Sequence, residues 1–179
     1  MSNIQNNNKP TQHGDRNSNH SSEQQMKKSP RVKKNWIPVV AGLLKKGDKI
    51  LVGQRPETHT LGGLWEFPGG KIEMGESPEI ALARELSEEL GIEAQVGDLK
   101  LACTHSYGDV GILILFYEVL FWKNEPRAKH HTSLEWVYPI DLPKRNIPEA
   151  NRKNISRIYK AFNLSVDTNS SESEKSEFK

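Results

Sequence analysis

The sequence predicts an α/β fold in which a mixed β-sheet is sandwiched between helices, within one domain of residues 35–164. Residues 78–90 and 151–162 repeat apolar side chains at helical spacing, and the segments around them are β-branched and aromatic. The resulting order of strands, helix, strands, helix is typical of an α/β sandwich.

The first part of the domain is predicted to contain two strands and a loop. Residues 36–44 are predicted to form a strand, and Gly47-Asp48 to form the turn into a second strand at residues 49–53. Residues 56–63 are polar and end in two glycines, which predicts a loop.

The helix predicted at residues 78–90 has clear start and stop signals. Ser77 is a favourable N-cap, Pro78 suits the first helical position, and Gly91 follows as a C-terminal stop. An apolar arc on one side of the helix predicts that it packs on a sheet. This arc contains Ile80, Leu82, Ala83, Leu86 and Leu90.

The second half of the domain is predicted to contain three more strands and a second helix. Residues 93–104 and 111–121 are predicted strands, and the latter should be central because it is β-branched and aromatic. The Asn-Glu-Pro sequence at residues 124–126 is predicted to close a hairpin, and residues 134–138 to form a short strand. Residues 151–162 carry apolar side chains at i, i+3, i+4 and i+7, which predicts the helix.

Both ends of the chain differ from the domain in composition. Residues 1–34 are polar and basic, and residues 165–179 are rich in Ser and Glu. We expect two disordered tails, because neither segment can bury enough apolar surface to offset its ordering entropy. The first tail ends in a basic cluster, which would contact RNA or an acidic partner, or act as a solvated linker.

Whole-chain properties limit the class of protein. A formal net charge of +2 over 179 residues does not indicate a nucleic-acid-binding protein. Cys103 is the single cysteine, which excludes an intramolecular disulfide and suits a reducing compartment. No apolar run reaches membrane-spanning length, and the N-terminus lacks the apolar stretch of a signal peptide. We therefore expect a cytoplasmic protein that does not bind membranes, and its oligomeric state stays open.

Three carboxylates, Glu85, Glu88 and Glu89, share one face of the first helix because they are spaced i, i+3 and i+4. Like charges this close repel one another and need a counter-charge. A hard divalent cation such as Mg²⁺ prefers oxygen ligands of this kind. The alternative is a solvated acidic helix face without a ligand.

The same segment resembles the Nudix box, the signature of the Nudix hydrolase family. The signature is Gly, five residues, Glu, seven residues, and then Arg-Glu-apolar-x-Glu-Glu-x-Gly-apolar. The resemblance implies the Nudix fold, a mixed sheet between helices. Every fixed position is filled, by Gly70, Glu76, Arg84, Glu85, Leu86, Glu88, Glu89, Gly91 and Ile92.

Four further segments, residues 54–55, 65–76, 135–136 and 148–151, resemble the MutT-like branch of this family. This branch implies a Mg²⁺-dependent hydrolase, with Mn²⁺ as an alternative ion, that releases a nucleoside monophosphate and pyrophosphate from the triphosphate. The implied substrate is an oxidised purine such as 8-oxo-dGTP, followed by dGTP. The implied role is sanitation of the nucleotide pool, which belongs to DNA repair.

The resemblance assigns metal binding and catalysis to the first helix and the turn before it. Arg84 would orient the carboxylates through a salt bridge or reach a phosphate, and Glu76 would brace the preceding loop. A helix carboxylate or a loop residue would take the proton from water, and the sequence leaves that choice open. The implied metal ligands are the carboxylates of Glu85, Glu88 and Glu89 and the carbonyl oxygen of Gly69.

Substrate binding is assigned to four residues outside that helix. Arg55 would bind a phosphate, with a surface salt bridge as the alternative. Phe67 would line a base pocket or belong to the core, and Glu66 precedes it in the same motif. Asn151 would read the purine edge, with a capping or first-turn role in the helix as the alternative.

Two positions depart from the MutT-like pattern. His130, followed by His131, stands where the branch has a metal-binding glutamate. It would ligate a softer metal, act as a base, or be an ordinary loop residue. Val110 stands where the branch has an arginine near its base pocket, which weakens selectivity for 8-oxoguanine.

Two rival functions also fit the sequence. One is removal of pyrophosphate from the triphosphorylated 5′ end of RNA, which uses the same chemistry and suits the basic tail. The other is a non-catalytic nucleotide sensor, against which the intact set of helix carboxylates argues.

Overall fold

The computed structural model of the chain describes residues 35–165, so the predicted tails, apart from Ser165, lie outside the described residues. Neither α-helix of the described part is long and apolar enough to cross a membrane. The strands are β1 (Asn35–Leu43), β2 (Lys45–Lys46), β3 (Lys49–Gln54), β4 (Trp65–Glu66), β5 (Gly69–Lys71), β6 (Glu93–Tyr107), β7 (Val110–Lys123) and β8 (Ser133–Val137). The α-helices are α1 (Pro78–Leu90) and α2 (Glu149–Ala161), and a 3₁₀ helix (Pro139–Lys144) precedes α2.

The strands form two sheets, and the first of them positions the candidate site. Its order is β5-β1-β7-β6, and it is mixed because β1 runs parallel to β7 and antiparallel to β5. Across β1 and β5, Ala41 faces Gly69 and Val40 faces Gly70. In the second sheet, β3 pairs with β2, β4 and β8. The predicted α/β fold with a mixed sheet is confirmed.

Neighbouring side chains of the central strands pack into two separate cores, one for each α-helix. On β1, Val40 packs with the apolar residues of α1, whereas Ala41 packs with those of α2. On β7, Phe116 belongs to the α2 core and Tyr117 to the α1 core. Successive side chains of a strand point to opposite faces, so the two helices cover opposite sides of these strands.

The helix α1 spans the residues that its caps predicted. The Ser77 hydroxyl accepts a hydrogen bond from the Ile80 N–H at 3.3 Å, and Gly91 ends the helix in the left-handed conformation. The predicted apolar arc needs one correction, because Ile80 is 60% exposed. Ile80 is two positions from the buried Leu82 and so lies on nearly the opposite side of the helix, whereas the neighbouring Ala81 is buried.

The predicted hairpin at residues 124–126 is wrong. The turn between β6 and β7 lies at residues 108–109, and β8 pairs with β3 of the other sheet instead of with β7. After β7 the chain runs past the C-terminal end of α1, where the Arg127 N–H donates to the Leu90 carbonyl at 2.9 Å. The last carbonyls of a helix lack intrahelical partners, and this contact directs the segment away from a tight turn.

Three short strands, β2, β4 and β5, were absent from the sequence predictions. Each has only two or three residues, so none carries a readable alternation of apolar and polar side chains. Pairing with β1 and β3 creates them, which is a tertiary effect. The omission matters because β5 contains Gly69 and Gly70, which lie beneath the acidic side of α1.

We predict that Leu82→Ala lowers the free energy of unfolding by about 2–5 kcal/mol, because Leu82 is fully buried under the sheet. Ile80→Ala on the same helix is the matched control and should change it by less than about 0.5 kcal/mol, since Ile80 is exposed. Urea unfolding followed by circular dichroism measures both values. An equal loss of unfolding free energy in the two variants would mean that Ile80 is part of the side of α1 that packs on the sheet.

Candidate active site

Two consecutive glycines of β5 let the acidic side of α1 lie directly on the strand backbone. Gly69 has a φ of 146°, and a Cβ there would lie 2.1 Å from the carbonyl oxygen of Val40. A Cβ on Gly70 would lie 2.3 Å from the Glu85 carboxylate. A side chain therefore does not fit at Gly69, and one at Gly70 would push the Glu85 carboxylate away from the strand. The Gly69 N–H donates to Glu89 Oε2 at 3.0 Å, so β5 forms the floor of the acidic cluster.

Arg84 joins the acidic cluster to the loop before α1. Its Nε and Nη2 donate to the two carboxylate oxygens of Glu76 at 2.7 and 3.0 Å, and Nη2 also donates to the Lys71 carbonyl. Its Nη1 lies 3.1 Å from Glu85 Oε1 and donates to Glu88 Oε2 at 3.3 Å. Hydrogen bonding to Glu76, and then to Glu85, raises the pKa of Arg84. The guanidinium thus forms the salt bridge that the sequence suggested and fixes both the loop and the cluster.

Glu89 is the carboxylate of the cluster that burial affects most. Burial raises the pKa of Glu89 to about 7, because the charged form is removed from water. The charges of Glu66 and Glu85 act in the same direction, whereas His131 and the Gly69 N–H lower the pKa. The groups around Glu89 therefore compensate its negative charge only in part. A bound cation would complete that compensation.

The loop before β8 directs His131, rather than His130, toward the acidic cluster. The His131 side chain is 2% exposed, and its Nε2 lies 3.8 Å from Glu66 Oε1. His130 is exposed, which favours the prediction that it is an ordinary loop residue. No local sequence signal separates the two histidines, since the packing of the loop on β3 decides which one is buried.

The oxygen donors of the cluster suit a hard divalent cation. Glu85 and Glu89 bring carboxylates onto the backbone of β5, and Glu88 adds one whose side chain is 49% exposed. Among residues 35–165, no group of three or more His, Cys, Asp and Glu side chains is already arranged to hold a metal ion. Arg84 contacts Glu85 and Glu88, so metal binding would require these carboxylates to give up part of that contact.

Arg55 and Glu66 form a salt bridge where β3 meets the loop at residues 56–63. Arg55 Nη1 lies 2.6 Å from Glu66 Oε1, and Nε donates to the Thr60 carbonyl at 2.9 Å. The Gly63 N–H in turn donates to the Arg55 carbonyl. The salt bridge considered as the alternative for Arg55 is therefore present, and it holds the guanidinium beside the acidic cluster. A phosphate contact through this arginine stays a prediction.

Asn151 lies in the first turn of α2 and is buried, with 8% of the residue exposed. The N-cap of α2 is Pro148, so of the two structural alternatives for Asn151 the N-cap role is wrong and the first-turn position is observed. One turn later, Asn154 has a structural role, because its amide donates to the Ala150 carbonyl at 2.9 Å and accepts from Arg157. Within residues 35–165 the Asn151 amide makes no comparable hydrogen bond, so it suits a ligand.

Phe67 belongs to the core on the α2 side. Its ring is buried and packs edge-to-face on Phe116, with 5.7 Å between ring centroids. The core alternative for Phe67 is thus observed, and a contact with a base stays a prediction.

Sequence reasoning missed two residues of β6 beside the first turn of α2. The Tyr107 hydroxyl accepts from the Ala150 N–H at 3.4 Å, and the His105 ring packs edge-to-face on Tyr107 with 4.5 Å between centroids. His105 Nε2 lies 3.6 Å from Glu149 Oε2, without a hydrogen-bond partner among the described residues. His105 and Tyr107 are two positions apart in β6, so their side chains point to the same face of the sheet. This spacing of two polar aromatic residues is the sequence signal that could have found them.

Comparisons with known proteins identify the family of the chain. A family model described as NUDIX domain matches residues 39–157, more than half of the chain. The chain is 42% identical over 97 residues to the 8-oxo-dGTP diphosphatase of Proteus vulgaris. That match covers 54% of this chain and 87% of the Proteus protein. It is 41% identical over 103 residues to the CTP pyrophosphohydrolase of Escherichia coli. That match covers 58% of this chain and 76% of the Escherichia coli protein.

A solved structure supports the same assignment. MutT from methicillin-resistant Staphylococcus aureus, a protein of the Nudix hydrolase family, matches with a TM-score of 0.58 at 34% identity, covering 71% of this chain and 98% of that one. The resemblance predicted from the box and the four further segments is thereby confirmed. The chain belongs to the Nudix hydrolase family.

Proposed function

We propose that this Nudix hydrolase converts a nucleoside triphosphate to the monophosphate and pyrophosphate, with Mg²⁺ as its ion and Mn²⁺ as an alternative. Nudix hydrolases generally use a divalent metal. The observation that carries the proposal is the set of α1 carboxylates held against the side-chain-free backbone of Gly69 and Gly70. Such an arrangement concentrates negative charge on oxygen donors, which suits a divalent cation that would in turn bind phosphate.

Each residue of the cluster has a role in this proposal. Glu85, Glu88 and Glu89 would hold the cation with the Gly69 carbonyl, and the bound ion would neutralise phosphate charge and favour ionisation of the attacking water. Arg84 keeps the carboxylates oriented through its contacts with Glu85 and Glu88. Arg55, held by Glu66, would bind a phosphate of the substrate. A helix carboxylate or a loop residue would take the proton from the attacking water.

The proposed substrate is 8-oxo-dGTP, followed by dGTP. Two observations support a purine: the Proteus vulgaris relative is an 8-oxo-dGTP diphosphatase, and the buried Asn151 amide can pair with a purine edge. The Escherichia coli relative favours CTP as a second candidate. We place the enzyme in the cytoplasm, where the buried thiol of Cys103 stays reduced.

A substrate panel in Mg²⁺ tests the proposal. It should contain 8-oxo-dGTP, the common nucleoside triphosphates, nucleotide sugars, dinucleoside polyphosphates and triphosphorylated RNA. We expect the highest kcat/KM for 8-oxo-dGTP, with pyrophosphate as a product. A preference for RNA ends would support the RNA rival instead. Absence of any Mg²⁺-dependent turnover would leave the sensor function.

Glu88→Gln and Glu89→Gln are each expected to lower kcat/KM by orders of magnitude while the fold persists, because each removes a negative charge that the cation needs. Glu93→Gln is the matched control, since Glu93 forms an exposed pair with Lys123 at 3.0 Å, away from the cluster. Turnover in Mg²⁺ and circular dichroism separate loss of activity from loss of folding. Near-wild-type turnover of both variants would exclude these residues from the metal site.

The raised pKa of Glu89 predicts a pH-dependent gain in stability for Glu89→Gln without divalent cations. Below the unfolded-state value of 4.5 the carboxyl is protonated in both states, so the group has no effect. Between 4.5 and about 7 only the unfolded state ionises, so the wild type loses stability as pH rises, by about 3 kcal/mol in all. The melting-temperature difference should therefore grow between pH 4.5 and 8.

Mg²⁺ provides the second half of that experiment. At pH 8 the cation should raise the melting temperature of the wild type, because it binds the folded state and neutralises Glu89. It should raise that of Glu89→Gln much less. A melting-temperature difference that stays constant with pH would contradict the burial of an ionising Glu89.

Asn151→Ala is expected to lower kcat/KM for 8-oxo-dGTP and dGTP by about ten- to a hundredfold, since a lost base-edge contact is worth roughly 1–3 kcal/mol. The value for dCTP should barely change, because a pyrimidine presents a different edge. Asn154→Ala is the matched control, and it should lower the melting temperature and affect all substrates alike. An equal loss for all three nucleotides in Asn151→Ala would remove Asn151 from the site.

A further inference from the structure

The imidazole of His131 is enclosed between strands of the second sheet. It lies two residues before β8, and the neighbouring Thr132 N–H donates to the Gln54 carbonyl at 2.8 Å, which anchors the loop to β3. The ring covers Gly53 on β3 so closely that a Cβ there would lie 2.4 Å from the His131 ring. The absence of a side chain at Gly53 therefore creates the space that the imidazole fills.

That space adjoins the salt bridge beside the acidic cluster. Gly53 is the cross-strand partner of Glu66 on β4, so the ring that covers Gly53 also reaches the Glu66 side chain. His131 Nε2 lies 3.8 Å from Glu66 Oε1, and the same oxygen accepts from Arg55 Nη1 at 2.6 Å. Three side chains thus lie in a row: His131 packs beside Glu66, and Glu66 is hydrogen-bonded to Arg55.

A purely structural histidine would be expected to satisfy its buried nitrogen atoms. His131 Nδ1 is buried and has no hydrogen-bond partner in the described part of the chain. An unsatisfied buried polar atom is unfavourable, and an apolar side chain of similar size would avoid that cost. The polar ring is therefore better explained by its contact with the Glu66 carboxylate than by filling the space above Gly53.

We propose that His131 is a positioning residue for phosphate binding, which fixes the Glu66 carboxylate and, through it, the Arg55 guanidinium. The inference rests on the proposed hydrolysis of a nucleoside triphosphate. His131 does not touch the substrate in this scheme. Its contribution is to limit the positions that Glu66 can take, so that Arg55 presents its donors to a phosphate in one orientation.

Two substitutions of His131 separate positioning from packing. His131→Leu keeps an apolar volume above Gly53 and removes the polar contact, whereas His131→Gln keeps an N–H donor near the Nε2 position. For the best nucleoside triphosphate of the panel, His131→Leu should raise KM about tenfold, with kcat within about threefold. His131→Gln should restore most of the wild-type KM. The neighbouring Thr132→Ala, with an exposed side chain, should leave both constants unchanged.

Gly53→Ala tests the position of the His131 ring without altering an ionisable group. The new methyl group would displace the His131 ring, so KM should rise as in His131→Leu. In a His131→Ala background the methyl group has room, so adding Gly53→Ala should raise KM no further. This non-additivity is the expected result for two residues in direct contact. Fully additive effects would contradict the contact. Circular dichroism and melting temperatures confirm that each variant is folded.

Binding of inorganic tripolyphosphate in Mg²⁺, measured by calorimetry, distinguishes failure of this inference from failure of the proposed function. If the wild type hydrolyses no nucleoside triphosphate, the proposed function fails. The inference then stands only if the Kd for tripolyphosphate rises in His131→Leu and not in His131→Gln. If the wild type is active and His131→Leu keeps its KM and its Kd, or if His131→Gln is as impaired as His131→Leu, the positioning role is overturned.

Discussion

Direct contact between the backbone of β5 and the carboxylates of α1 is the constraint on which the rest of the structure depends. It requires glycine at position 69, because a Cβ there would collide with the Val40 carbonyl, and a Cβ at position 70 would displace the Glu85 carboxylate from the strand. It also requires α1 to be fixed by its buried residues on the opposite side, since otherwise its acidic side would move into water. The pairing of β5 with β1 and the packing of α1 are therefore two parts of one requirement.

This contact concentrates negative charge, and the surrounding structure compensates it only in part. Arg84 binds the carboxylates nearest the loop, and His131 lowers the pKa of Glu89, yet that pKa still reaches about 7. Burying charge without full compensation costs stability, and such a cost is expected at a functional site. The same feature that weakens the metal-free fold is the one that would attract a divalent cation.

The accuracy of the sequence predictions follows the range of the interactions involved. The bounds of α1 were predicted correctly because Ser77, Pro78 and Gly91 act on their own helix. The hairpin at residues 124–126 was predicted wrongly because the end of α1, distant in sequence, directs that segment. Ile80 was misplaced because the apolar arc of α1 was drawn too wide: Ile80 lies nearly opposite the buried Leu82, and the packing of the helix leaves that side exposed.

The sequence by itself determined the family, the α/β class, the acidic face of α1 and most candidate site residues, because a long motif and local capping signals carry that information. Only the tertiary structure decided that His131 is buried beside Glu66 while His130 is exposed, that Arg55 pairs with Glu66, and that Pro148 rather than Asn151 caps α2. Those outcomes depend on which strands pair and which loop covers them. Contacts between segments that are distant in sequence leave no local pattern from which they could be predicted.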